Sequence, residues 1–438
     1  MRSKKYRDKV NKAQEYTGKN PVKKLSFWFD SIKTWQRIAI IVIFLIILFG
    51  VSCYAAFQQY VGSVTTKIRD TEVIKENELS CVDVEGYVNI VLLGVDSRDM
   101  SKEALKAANT DAIIVVSMNE RSKDVSVISV FRDTYLKMGE TSTYEKINAA
   151  YYFGGAQMAM KSLNQAMDIN IKKYVLFNFK MVADLVDAVG GIEVNVKERE
   201  IEELKHYTGE TARYLGIEKQ KRVKKAGKQK LDGVQAVAYG RIRKGVGDDF
   251  RRTSRMRTVI KKVTEKLKKK NLFQLKRIME LCLDDCKTNL SEHDMIGFAQ
   301  RMSKVNFNKS VGYPYTVKTG MLNGRSYVFP GNLEESARKL HKEVFEDEDY
   351  EPSETLLSIS NYIISQAGSG GTDSSQLGKY EEEIEAEKKK KEEEEEKKAK
   401  EAAMSDEEKA GLEAVEAAAD AAASLKKIKL AQPSESEK

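Results

Sequence analysis

The sequence predicts an α/β protein: an α/β/α sandwich on a central mixed sheet, preceded by one transmembrane helix and followed by a charged low-complexity tail. Three observations lead there. Compact Val- and Ile-rich runs alternate with helical stretches between residues 87 and 350, a twenty-residue run near the N-terminus carries no charge, and the composition breaks abruptly after Ser365. At 438 residues and 41% hydrophobic the chain can bury a full core, while 32% charged residues indicate that part of it is not globular.

Residues 1–37 form a basic arm with eleven Lys and Arg against three Asp and Glu, so the formal +8 of the whole chain resides there. The remainder balances at zero, which argues against a nucleic-acid footprint on the globular part. Ile38 to Phe57 (38–57) is long enough to cross the hydrocarbon core once as a helix. A cleaved signal peptide would be shorter and would end in a small-residue cleavage pattern, which does not follow cleanly at Ser52 to Tyr60. With the basic flank inside, the chain from about Tyr60 onward is expected outside the cell, on a single-pass anchor in the cell membrane. Residues 58–86 read as a polar stalk.

The main globular domain is expected over residues 87–350. Val88 to Val95, Ala112 to Met118 and Val125 to Phe131 have the composition of strands buried on both faces. Helices over Gly155 to Met167 and Phe179 to Ala188 follow, the second stopped by Gly190-Gly191 before a strand from Ile192 to Val196. Glu198 to Gln229, charged and dotted with glycine, reads as a surface excursion. A short helix is expected over Leu231 to Tyr239. Three more follow over Arg251 to Lys268, Asn271 to Asp284 and Ser291 to Val305, then a strand around Ser310 to Val317 and a helix from Asn332 to Phe345. Residues 366–438, with a GSGG segment, Lys and Glu blocks and an Ala-rich end, lack the side chains to build a core. Cys81, Cys282 and Cys286 show no zinc spacing and are compatible either with one disulfide involving Cys81 or with buried thiols. His206, His293 and His341 stand in no metal-binding or triad-like pattern.

The chemistry lies in seven short motifs that set arginines and aspartates at the ends of apolar runs: NIVLLGVDSR (89–98), NTDAIIVVS (109–117), ISVFRDTY (128–135), YEKINAAYYFGG (144–155), AVGGIEV (188–194), AYGRIR (238–243) and DDFRRTSRMRT (248–258). Strand ends are where an open α/β sheet forms its ligand crevice. Fixed positive charge beside paired acids suits a phosphorylated ligand held with a divalent metal. Asp96 follows one strand and Asp111 opens the next, so both carboxylates are expected at one sheet edge, in position for Mg2+, with Mn2+ as the alternative ion; the plain alternative is that each caps a turn or strand. Arg132 at the end of the third strand can clamp two phosphate oxygens. An ion pair with Asp133 is disfavoured, because neighbours in an extended strand point to opposite faces. Arg241 and Arg243, one residue apart, project from one face of an extended backbone and repel unless an anion lies between them. Asp249, Arg252 and Arg255 follow at i, i+3 and i+6 on one helix face, with a surface salt-bridge helix as the rival reading.

Seven motifs in this order resemble the LytR-CpsA-Psr family, over about Tyr87 to Glu265. The resemblance implies a membrane-anchored, extracytoplasmic phosphotransferase that moves a glycopolymer from an undecaprenyl-pyrophosphate carrier to a peptidoglycan sugar hydroxyl. It implies metal binding by Asp96 and Asp111, catalysis by Arg132, Asp249 and Arg252, and substrate binding by Arg98, Lys146, Asn148, Arg241, Arg243 and Arg255. Asp249 is assigned to positioning or to general-base duty, and Lys146 and Asn148 fall on the family's KIN motif. The chain departs from the family pattern at Phe131 in place of proline, Met256 in place of glutamine and Asn109 in place of arginine. Tyr174 to Phe177 and Phe179 to Ala188 are equally suited to line a polyprenyl groove or to pack a core. Two other function classes share these residues: a non-catalytic polyprenyl-pyrophosphate binder serving wall assembly, and a hydrolase that uses water as acceptor. Nothing in the motifs chooses between teichoic acid, capsule or another polymer.

Overall fold

The computed structural model describes residues 74–97, 100–105, 108–243, 249–282, 285–301 and 304–377, together with positions 52, 55 and 59. The basic arm, nearly all of the uncharged run 38–57, Arg98 and residues 378–438 lie outside the described residues. Among the described residues no helix is long and apolar enough to cross a membrane.

In chain order come β1 (Tyr87–Val95), β2 (Thr110–Asn119), β3 (Asp124–Val130), the hairpin β4 (Tyr135–Lys137) and β5 (Tyr144–Lys146), then α1 (Ala150–Met167), β6 (Lys173–Phe177) and α2 (Phe179–Ala188). They are followed by β7 (Ile192–Val196), α3 (Ile201–Tyr214), β8 (Gly227–Leu231), α4 (Gly233–Arg241), α5 (Asp249–Leu267), α6 (Leu272–Cys282), β9 (Cys286–Thr288) and α7 (Glu292–Arg301). The last elements are β10 (Asn306–Tyr313), β11 (Thr316–Leu322), β12 (Arg325–Pro330), α8 (Leu333–Val344), α9 (Glu354–Ala367) and β13 (Thr372–Asp373).

Six strands form the central sheet in the order β10-β3-β2-β1-β6-β9. The pairs β1–β2 and β2–β3 are antiparallel, while β1–β6 and β3–β10 are parallel, so the sheet is mixed as expected. Successive strand residues point to opposite faces, and the two faces bury different helices. Val91, Leu93, Ile113 and Val115 join Leu163 and Met167 of α1 and Leu340 of α8 in the larger core. Their neighbours Leu92, Ile114 and Val116 pack with Met256 and Ile260 of α5. The sandwich thus has three layers.

A second, smaller core corrects the sequence reading of Glu198 to Gln229. Ile192, Val194 and Leu231 of the antiparallel β7–β8 pair, whose connection contains α3, pack with Leu204 of α3, Ala236 of α4 and Val259 and Val263 of α5. Within α3, Ile201, Leu204, Thr208, Thr211 and Ala212 are buried, which is one helical stripe under a charged outer face. Its average composition is polar although its inner face is not. At the junction, Gly191 has φ +80°, and a Cβ there would lie 2.8 Å from the Leu231 carbonyl, so the turn requires glycine.

The domain also extends past its expected bounds of 87 and 350. Leu79, expected in the stalk, is fully buried in the larger core, and its carbonyl accepts from Asn164 Nδ2 at 3.0 Å. Ile359 and Ile363 of α9 join the same core. Thr372–Asp373, expected as tail, pairs with β11, and Leu377 packs against the cluster of Phe131, Phe250, Val317 and Val328. The strand expected over Ser310 to Val317 is two strands in different sheets, parted at Pro314, which has no N–H to continue a ladder. Cys81, Cys282 and Cys286 are free thiols.

Candidate active site

A β-bulge sets the position of the first acid pair. In the antiparallel ladder Gly94 pairs with Ala112 but Val95 pairs with Thr110, so Asp111 is the extra residue. Bulges re-aim side chains in this way beside functional sites. Asp111 and the exposed Asp96 both border one cavity at this sheet edge, as the sequence predicts. The strands approach closely here: a Cβ on Gly94 would lie 2.9 Å from Ala112 Cβ and 3.1 Å from the Phe177 ring.

Arg132 lies in the turn after β3 rather than in the strand. Alternation therefore does not separate it from Asp133, whose Oδ2 is 3.7 Å from Arg132 Nε; this corrects the argument against that pair. Its main partners are nonetheless others. Arg132 Nη1 donates to Asp111 Oδ1 at 2.7 Å and Nε to Asp249 Oδ2 at 2.9 Å. Asp249 collects two further guanidiniums on Oδ1, from Arg243 at 3.1 Å and from Arg252 at 3.3 Å. Burial works to raise the Asp249 carboxyl, but Arg252, Arg132 and Arg243 together hold it below the usual aspartate range. For Arg132 burial acts against the charge, while Asp111, Asp249 and Asp133 hold the guanidinium protonated. Arg252 is buried and donates Nη2 to the Asp111 carbonyl at 3.1 Å, whereas its Nε has no hydrogen bond among the described residues.

Phe131, where the resemblance expects proline, donates its N–H to the Tyr313 carbonyl at 3.2 Å and packs edge-on against Phe250. Lys146 pairs with Asp133 at 3.2 Å, and the Asn148 N–H donates to the Arg132 carbonyl at 3.0 Å, so the KIN segment braces the Arg132 turn. Neither Lys146 nor Asn148 borders the cavity that Asp96 and Asp111 share.

Arg241 and Arg243 do not share an extended face, because Arg241 is the last residue of helix α4. Arg241 Nη1 donates to Thr211 Oγ1 at 2.9 Å, and its guanidinium lies 4.9 Å from the Phe179 ring centre. Arg255 is turned away from the cavity. Its Nε donates to Glu200 Oε1 at 2.9 Å and its Nη1 to the Ile242 carbonyl at 3.1 Å, in a buried pair that ties α5 to the start of α3. Arg255, expected at the substrate, thus meets Glu200 and Ile242 instead of the cavity, since helical spacing alone does not say which neighbour the face meets.

The cavity, of about 380 Å³, lies between the sheet and helices α2, α4 and α5. Asp96, Asp111, Arg241, Arg243 and Arg252 stand among its lining, while Leu92, Val175, Val182, Leu185, Met256, Val263 and Leu267 make much of the rest apolar. Arg252 and Leu267 are fifteen residues apart on α5, so the lining extends along roughly 22 Å of that helix. Met256, where the resemblance expects glutamine, adds a thioether to the apolar wall.

The LytR_cpsA_psr family model matches residues 51–343. The chain belongs to the LytR-CpsA-Psr family. Among relatives, the polyisoprenyl-teichoic acid–peptidoglycan teichoic acid transferase TagU of Enterococcus faecalis is 30% identical over 259 residues, covering 59% of this chain and 76% of that protein. The corresponding transferase TagT of Bacillus subtilis is 29% identical over 232 residues, covering 52% and 68%. Among solved structures, protein gbs0355 of Streptococcus agalactiae is 28% identical and superposes with a TM-score of 0.51, covering 62% of this chain and 90% of that one. Helix α9, which completes the core of this LytR-CpsA-Psr domain, lies beyond the family match.

Asp96 and Asp111 are the two carboxylates at the cavity edge that could serve a magnesium ion of the kind that takes one or two protein carboxylates and completes its shell with water and phosphate oxygens. Among the described residues no group of three or more His, Cys, Asp or Glu could hold a metal by itself. Three residues of this LytR-CpsA-Psr site escaped sequence reasoning as partners: Glu200, which holds Arg255, and Phe179 and Tyr207, which flank Arg241. The periodic stripe of α3 was the available signal for Tyr207, and Phe179 opened a run already offered as a groove lining; Glu200, just before α3, carried none.

Proposed function

We propose that this protein moves a glycopolymer from an undecaprenyl-pyrophosphate carrier onto a peptidoglycan sugar hydroxyl and releases undecaprenyl phosphate. In this reading residues 38–57 anchor it in the cell membrane, the N-terminus is cytoplasmic and the catalytic domain is outside. The observation that carries the proposal is the cavity, apolar along α5 and bordered by Arg241, Arg243 and Arg252 with Asp96 and Asp111. A polyprenyl pyrophosphate has the same division, a long apolar chain ending in a dense anion. Guanidiniums held out of water bind phosphate oxygens more strongly than exposed ones.

The acceptor oxygen bonds to the glycan-side phosphorus while the bond from that phosphorus to the bridging oxygen breaks. The departing undecaprenyl phosphate keeps the electron pair and takes up the acceptor's proton. Such transfer is achieved chiefly by positioning and charge stabilisation, without a covalent enzyme intermediate. Arg132 and Arg252 stabilise charge on the reacting phosphoryl group, and Arg241 and Arg243 hold the pyrophosphate. Asp249, kept anionic by three guanidiniums, serves as their common anchor rather than as a base. Asp96 and Asp111 would hold Mg2+, or Mn2+ in its place, which when bound neutralises pyrophosphate charge.

The test uses full-length protein purified in detergent. Lipid extraction and mass spectrometry should reveal a polyprenyl pyrophosphate, and a labelled lipid-linked glycan should become attached to added peptidoglycan. Release of the glycan into water without attachment would make the protein a hydrolase; bound lipid with neither reaction would make it a binder. Protease added outside intact protoplasts should degrade the domain, and protection until permeabilisation would reverse the proposed orientation.

A further inference from the structure

An aromatic surface adjoins the charged site from the layer opposite the cavity. Tyr144 of β5 stacks on Tyr362 of α9 with ring centres 4.1 Å apart and planes inclined by 29°. Tyr362 is 41% exposed, although Ile359 and Ile363 of the same helix pack into the larger core. Along β5 the residue two positions on is Lys146, which strand geometry places about 7 Å away on the same face. Lys146 Nζ lies 5.6 Å from the centre of the Tyr327 ring and 3.2 Å from Asp133 Oδ1, and Asp133 in turn neighbours Arg132. At the rim, Arg325 pairs with Glu145. The path thus leads from the exposed Tyr362 and the half-buried Tyr144 stacked on it, past an ion pair, to the arginine of the charged site.

We propose that this surface binds the acceptor glycan, with the Tyr144–Tyr362 pair stacking on a sugar ring and Lys146 next along the path to the reacting phosphorus. The inference rests on the transferase reading given above. Two observations select this occupant. In-line displacement brings the attacking oxygen in opposite the leaving group. The cavity suited to the departing carrier lies between the sheet and α2, α4 and α5, whereas α9 packs in the other layer. The chemistry also fits. A sugar presents a C–H face that stacks on a flat aromatic ring, and hydroxyls at its edge that bond to charged and phenolic groups. Helix α9 lies beyond residues 51–343, so Tyr362 stands outside the stretch that the family model matches and is a candidate for setting which acceptor this chain prefers.

The test compares wild type, Tyr362→Ala and Tyr362→Phe, all full-length in detergent, with a purified N-acetylglucosamine–N-acetylmuramic acid oligosaccharide as acceptor and a lipid-linked glycan donor. Tyr362→Ala should raise the acceptor concentration for half-maximal rate about fivefold with kcat and donor KM within twofold, and Tyr362→Phe should restore it. NMR titration with the oligosaccharide alone should perturb tyrosine ring signals in wild type and lose that response in Tyr362→Ala. An unchanged acceptor dependence in a Tyr362→Ala protein that still transfers glycan would overturn this inference and leave the transferase reading standing. Oligosaccharide binding to a wild type that transfers nothing would have the opposite meaning. Loss of donor affinity in Tyr362→Ala would assign the surface to the donor, and the inference would fall.

Discussion

Glu200 Oε1 accepts a hydrogen bond from Arg255 Nε at 2.9 Å, with the two side chains only 3% and 5% exposed. An arginine from a motif otherwise rich in phosphate-binding candidates is thereby committed to joining α3 and α5. Its Nη1 bond to the Ile242 carbonyl also fixes the chain just before Arg243, so the pair supports the site without entering it.

Breaking that pair leaves an uncompensated charge in a dry environment. Removing one partner of a buried ion pair costs about 3–5 kcal/mol. Arg255→Ala and Glu200→Ala should each lower the melting temperature by roughly 5–10 °C. Calorimetry on the purified proteins checks this. A change below 2 °C, together with weaker donor binding in Arg255→Ala, would return Arg255 to the ligand.

Arg132 is the reverse case, a half-buried guanidinium shared between Asp111 and Asp249. Arg132→Ala should lower the transfer rate on the order of 10²–10³-fold while circular dichroism stays native. Arg132→Lys should recover little, because an ammonium cannot span both carboxylates and a phosphate in a planar fork. Full activity in a folded Arg132→Ala protein would remove the central residue from the mechanism.

Asp96 is exposed at the end of β1, so Asp96→Asn should leave the fold intact. Activity should fall and be partly restored by excess Mg2+, as expected when a ligand's charge is lost but the site survives. Titration of rate against Mg2+ is the measurement. An unaltered Mg2+ dependence would sever Asp96 from the metal.

Acid stability follows from Asp249. Its carboxyl is held below the usual range in the folded protein, so its contribution is present above the unfolded value of about 3.9 and is lost as pH falls through the lower folded value. Asp249→Asn should therefore be less stable than wild type at neutral pH, with the difference narrowing below about pH 4. Urea unfolding at pH 7 and at pH 3.5 tests the sign, and a constant difference would refute the linkage.

The two ends of the tail should behave differently. Truncation after Leu377 removes Lys and Glu blocks that cannot form a core and should leave melting unchanged. Truncation after Gly371 also removes the strand paired with β11 and the packing of Leu377 on the cluster around Phe131 and Phe250, and should lower the melting temperature by several degrees. Equal melting temperatures would show that residues 372–377 add no stability.

Much of this architecture was legible in the sequence because it is written in local patterns. Val- and Ile-rich runs announced β1, β2 and β3, Gly190-Gly191 ended α2, and the acid after one strand and before the next came to one sheet edge. What local pattern could not convey was which partner each charge meets. Only the tertiary structure decided that Arg255 turns to Glu200 while Arg252 borders the cavity, three residues away on the same helix. It alone revealed α3 as a core helix, whose buried stripe is outweighed by charge in any average. It also made Asp111 the extra residue of a bulge and brought Tyr362 against Tyr144, 218 positions earlier. The physical reason is common to all of these. Periodicity is a property of neighbouring residues, whereas ion pairing, cavity lining and ring stacking depend on packing between elements far apart in the chain.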